Sequence, residues 1–102
     1  MGIILPNGYE MQTTFWMDFS IADIYGIDAI KDTYNRSFNE WKSNHIYLTE
    51  LSIVLNHKIW QHWENGNDEM GRLYDELWKK TDEYAIKHLK GKELEFYFNT
   101  TD

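Results

Sequence analysis

Four histidines, a scatter of serines and a regular series of carboxylates are the side chains of this sequence best suited to chemistry. A helical metal site wants ligands three or four residues apart, so that both lie on one face. His57 and His62 are five apart and point about 140° away from each other on a helix. His62 and Glu64 also diverge, and His45 and His88 stand alone, so no metal is expected. Ser20, Ser37, Ser43 and Ser52 lie in no G-x-S-x-G setting, and the glycines form neither a Walker loop nor G-x-G-x-x-G. The absence of cysteine removes thiolate zinc sites, cysteine nucleophiles and disulfides together. The sequence therefore predicts no enzyme and no cofactor.

The carboxylates are more orderly. Asp68-Glu69, Asp75-Glu76 and Asp82-Glu83 recur every seven residues, nearly two helical turns, so all six line one stripe. Met70, Leu77 and Tyr84 repeat beside them. The stripe suits an anionic surface that imitates a phosphate backbone or meets a basic partner. The simpler account is a solvated face, because Asp75, Glu76 and Glu83 each precede a lysine (Lys79, Lys80, Lys87) by four residues. Such pairs contribute ~0.2–0.5 kcal/mol each to a helix. A second acidic region, Glu10, Asp18, Asp23, Asp28 and Asp32 against Lys31 alone, suits either helix starts or a surface for a basic protein.

The elements that must position these groups read as helices. In 28–42, Ile30, Tyr34, Phe38 and Trp41 fall on one face, with Asp28 as the expected cap. Ser43-Asn44 offers the next cap. In 45–64, Leu48, Leu51, Leu55, Ile59 and Trp63 lie on one side and Ile46, Ile53 and Trp60 on another, so this helix should be central, with neighbours on two sides. Asn65-Gly66-Asn67 should end it and cap the next helix, 68–90, which stops at Gly91. Short links favour antiparallel neighbours. The expected fold is all-α, an antiparallel bundle of three main helices, with short helical or extended arms at 13–25 and around Leu94–Phe98. Ser20-Ile21-Ala22-Asp23 resembles a capping box. Residues 1–12, with turn-forming Pro6-Asn7-Gly8, read as a flexible tail, and 13–102 as a single helical domain.

Length and charge narrow the partners. One hundred and two residues hold one core. Ten Lys and Arg against seventeen Asp and Glu give a net charge of −7, which disfavours direct nucleic acid binding. No apolar run approaches the roughly 18 residues of a membrane span, and the first residues lack the basic flank of a signal peptide. No membrane association is expected, and the cytoplasm is the expected location. Five Trp, seven Tyr and five Phe are many for such a core. Aromatics left at the surface dominate binding interfaces. Tyr47, Trp60, Trp63 and Trp78 are the expected protein-binding residues, for a protein partner or for a homodimer.

From Thr13 onward the chain resembles small uncharacterised helical proteins carried on conjugative transposons and related mobile elements of Gram-positive bacteria. The resemblance rests on Thr13-Thr14-Phe15-Trp16, Asp18-Phe19, Ile21-Ala22-Asp23, Ala29-Ile30-Lys31-Asp32-Thr33 and Glu40-Trp41-Lys42. It continues through Tyr47-Leu48-Thr49-Glu50-Leu51, Leu55-Asn56, Lys58-Ile59-Trp60-Gln61-His62 and Thr100-Thr101-Asp102. It implies a genomic setting and supplies no catalytic residue. The functional expectation is a non-enzymatic, protein-binding accessory protein of a mobile element. The alternative is an acidic nucleic-acid mimic that inhibits a basic host defence protein.

Overall fold

The computed structural model describes residue 4 and residues 8–101. They form five helices: α1 Phe15–Tyr25, α2 Ile27–Trp41, α3 His45–Glu64, α4 Asp68–His88 and α5 Gly91–Thr101. No strand forms among the described residues; the single β-bridge joins Ile4 and Glu10. The fold is all-α, and of the two forms expected for the terminal arms the helical one is found, although α1 and α5 are packed elements rather than loose arms. Each is a full helix of 11 residues that sends side chains into the core, namely Phe15, Phe19 and Ala22 from α1 and Tyr97 from α5.

Local chemistry accounts for most boundaries. Asn44 caps α3, its Oδ1 accepting from the amides of Ile46 at 3.1 Å and Tyr47 at 3.2 Å. Gly66, at φ 77°, takes the left-handed turn after α3, and the Asn67 amide donates back to the His62 carbonyl at 2.8 Å. Asn67 then caps α4 through the Met70 amide. Gly26 serves both ends of one junction: at φ 110° it closes α1 and opens α2 with no intervening loop. It takes the capping position expected of Asp28, which instead sits in the first turn of α2.

Two further boundaries differ from the sequence expectation. The fourth helix ends at His88 rather than 90, because Leu89 is extended and buried in the core, and Gly91 begins α5 instead of ending α4. Ser20 and Asp23 are not a capping box. They lie in mid-helix in α1 and turn inward toward α3.

Helix α3 is central, and every other helix packs on it. Its segment Leu48–Leu55 is buried residue by residue, polar positions included. The main core joins Phe15, Phe19, Ile30, Tyr34, Leu51 to Leu55 except Ser52, Ile59, Leu73, Tyr74 and Leu77. A smaller cluster of Leu48, Ala85, Leu89 and Tyr97 seats α5. The segment expected to be a flexible tail is docked where it is described. Met11 is buried in the main core, Tyr9 packs against it, and Glu50 accepts from the amides of Gln12 and Thr13. The physical reason is Glu50 itself: a fully buried carboxylate needs donors, and this segment supplies them. Residues 1–3 and 5–7, and with them the expected turn residues Pro6 and Asn7, lie outside the described residues.

Candidate functional site

The four aromatic residues expected to bind a partner do not form one patch. Trp60 and Trp63 do share the C-terminal corner of α3, edge to face with ring centres 5.3 Å apart, and are 56 % and 40 % exposed. Trp63 is also pinned. Its indole lies on Gly71 of α4 so closely that a Cβ at that position would sit 2.2 Å from its Cδ1. Trp78 is half-buried against the main core. Tyr47 packs edge-on to Trp41, ring centres 4.8 Å apart. It stands thirteen residues from Trp60 along α3, about 20 Å on a rigid helix. That length separates Tyr47 from the tryptophan corner.

The acidic stripe is interrupted. Asp68 and Glu69 are exposed in the first turn of α4, and Glu76 and Glu83 are exposed further along. Asp75 pairs with Lys79 at 3.0 Å. Asp82 is turned to α5, accepting from the Tyr97 hydroxyl at 2.7 Å. With its proton committed there, Tyr97 accepts from Ser52, whose Oγ is 2.9 Å away. One of the six carboxylates is thus a fastening for α5 rather than open surface. Burial first, and the neighbouring Asp82 carboxylate after it, hold the Tyr97 hydroxyl well above the usual phenol range.

The structure also contains a buried polar hub that no local sequence signal marks. Lys58 Nζ lies 2.9 Å from Asp23 Oδ2 and 2.9 Å from Ser20 Oγ, under the face of Trp16 at 4.4 Å from the ring centre. Asp23 Oδ1 accepts from the Tyr74 hydroxyl and lies 3.2 Å from His62 Nε2. The His62 ring stacks on Tyr74, centres 5.4 Å apart. Burial first, then the bond to Asp23, raises the Tyr74 hydroxyl far above its ordinary range. Ser20 and Lys58 have the spacing of a nucleophile and its base. Here the lysine acts as donor to Ser20 and Asp23 beneath an aromatic face, which is the chemistry of a structural ion pair. The one trace in the sequence is Lys58 standing beside Ile59 on the apolar helix α3. Among the described residues, no group of three or more His, Asp or Glu is placed to hold a metal ion.

Sequence reasoning missed the outer face of α1. Met17, Ile21, Ile24 and Tyr25 fall on one side of that helix, spaced by four, three and one, and are 57, 51, 81 and 79 % exposed. The opposite side carries Phe15, Phe19 and Ala22 into the core. Two of the exposed residues, Ile21 and Tyr25, also wall an open cleft of about 370 Å³ between α1 and α2, facing Asp32 and Arg36 with Asp18 at one end. Small residues, Ala22, Ala29, Thr33 and Ser37, line the cleft between these walls and leave its volume free. It abuts a second cleft of about 420 Å³ at Asp18, Arg36 and Ser37, where Glu40 and the expected contact residue Tyr47 join the lining. Of the second acidic region, Asp18 and Asp32 open on this groove, whereas Asp23 belongs to the hub. Dense aromatics drew sequence reasoning to α3, while the signal in α1 was the apolar period at 17, 21 and 24–25.

The chain matches no protein-family model, no curated protein and no solved structure. No helix among the described residues is long and apolar enough to cross a membrane.

Proposed function

We propose that this chain is a non-enzymatic, protein-binding accessory protein that works in the cytoplasm, of the kind that mobile elements of Gram-positive bacteria carry. The observation that carries this reading is the outer face of α1. Four large apolar side chains, each more than half exposed, share one side of a helix whose other side is core. Scattered exposed apolar residues need no explanation, but a contiguous face at helical spacing is what a docking surface requires. The contact surface therefore moves from the α3 corner to α1, with Tyr47 retained at the far end of the adjoining groove. The nucleic-acid mimic is less favoured, because Asp75 and Asp82 of its stripe are engaged within the protein.

The test is affinity capture from a lysate of a Gram-positive bacterium with the wild-type chain and with Ile21→Glu/Ile24→Glu, at low and moderate salt. Exposed positions tolerate this change with little loss of stability. The expected result is a captured protein that survives moderate salt and is lost with the variant, at unchanged melting temperature. Capture that disappears with salt alone and ignores the variant overturns the reading in favour of the mimic.

A further inference from the structure

We infer that the groove between α1 and α2 is the seat of a basic amphipathic helix of a partner protein; this deepens the reading just given and rests on it. The groove has the form that helix-in-groove recognition uses: small side chains between its walls, one apolar wall, and charged groups along the other wall and the ends. Ala22 and Ala29 leave the volume free, Ile21 and Tyr25 form the apolar wall, and Asp32 and Arg36 form the other. Ile21 and Tyr25 stand one turn apart, about 6 Å along α1, and Met17 and Ile24 continue the apolar face on the rim outside the groove, so a partner helix seated there meets apolar side chains over about 12 Å in all.

Charge selects the occupant. The joined clefts present Asp18, Asp32 and Glu40 against Arg36 alone. Thr14 donates to Asp18 Oδ2 at 3.0 Å, which orients that carboxylate without neutralising it. A partner helix with an apolar stripe flanked by Lys or Arg meets both features at once. A second copy of this chain does not. A twofold contact through this face would bring together two surfaces that each present three carboxylates against one arginine, on chains that each carry a net charge of −7.

The experiment titrates the full-length, isotope-labelled chain with three synthetic helical peptides. One has a leucine stripe flanked by lysines, one has the same stripe flanked by glutamates, and one has the lysine composition scrambled so that no apolar face forms. The first should bind and move the amide signals of 17–25 and 29–37. The other two should bind at least about tenfold more weakly. Ile21→Glu and, separately, Tyr25→Ala should weaken the first peptide by about tenfold or more. Asp32→Asn should weaken it by less, with a reduced salt dependence. Trp60→Ala, at an exposed position that lines neither cleft, should leave binding unchanged. Equal binding of the scrambled peptide, signal changes confined to the α3–α4 corner, or self-association that Ile21→Glu reverses would each overturn the inference. Failure here with lysate capture still dependent on Ile21 and Ile24 removes the basic helix and keeps the protein-binding role; failure of both removes the α1 face altogether.

Discussion

Lys58 Nζ stands 2.9 Å from Asp23 Oδ2 with 1 % of the lysine side chain and 14 % of the aspartate exposed. Thirty-five residues of chain separate them, and their pairing fastens α1 to α3. Because both charges have left water, the pair should tolerate joint removal better than the loss of one member. Asp23→Ala strands the ammonium and should cost about 3–5 kcal/mol of unfolding free energy. Lys58→Met in that background should restore much of the loss, and Tyr74→Phe, which removes the hydroxyl left without its acceptor, should restore more. Urea denaturation of the single, double and triple variants checks this; strictly additive losses would contradict it.

The second carboxylate, Glu50, holds the N-terminal segment. It accepts from the Gln12 and Thr13 amides at 2.9–3.0 Å and from the Tyr9 hydroxyl at 2.8 Å, while itself fully buried. Glu50→Gln keeps the shape but turns one acceptor oxygen into a donor facing donors. It should cost about 1–3 kcal/mol. Hydrogen exchange at the Gln12 and Thr13 amides should accelerate sharply while exchange in the middle of α4 changes little.

Gly71 carries a prediction of reversed sign. In an exposed helix interior, Ala is more stable than Gly by roughly 1 kcal/mol. Here Gly71→Ala drives a methyl into the Trp63 indole and should destabilise by about 1–3 kcal/mol. The displaced ring should shift its fluorescence to the red. In a Trp63→Ala background the obstruction is gone, and the same Gly71→Ala change should become stabilising. Thermal melts of the four proteins complete the cycle.

Alkaline pH probes the buried phenols. Tyr9, Tyr74 and Tyr97 are all raised above the ordinary value of 10.0, chiefly by burial and then by a hydrogen bond to Glu50, Asp23 and Asp82 respectively. The folded state therefore prefers the neutral phenol more strongly than the unfolded chain does. The resulting stability is complete below pH 10 and declines as the pH rises above it, since the unfolded state gives up its protons first. Tyrosinate absorbance should show these three groups silent near pH 10 and ionising only with a cooperative loss of helix.

Asn44 before His45, Gly66 and Asn67 between two apolar periodicities, and the stripe Leu48, Leu51, Leu55 and Ile59 determine α3 and the start of α4 from the sequence by itself. Caps and helical periods act over a turn or two, so their causes lie beside their effects. The same locality misled at the ends. Ser20 and Asp23 look like a cap in isolation, and Gly91 looks like a stop, because nothing within a few residues reveals the lysine 35 positions away or the second core cluster that turns the chain at Leu89. Only the tertiary structure decided that Glu50 anchors a segment read as a tail, and that Asp82 serves Tyr97 rather than solvent. It also left Met17, Ile21, Ile24 and Tyr25 of α1 outside while burying Lys58. A buried charge is tolerable only beside its partner, and which partners meet depends on how whole helices pack, not on any spacing along the chain.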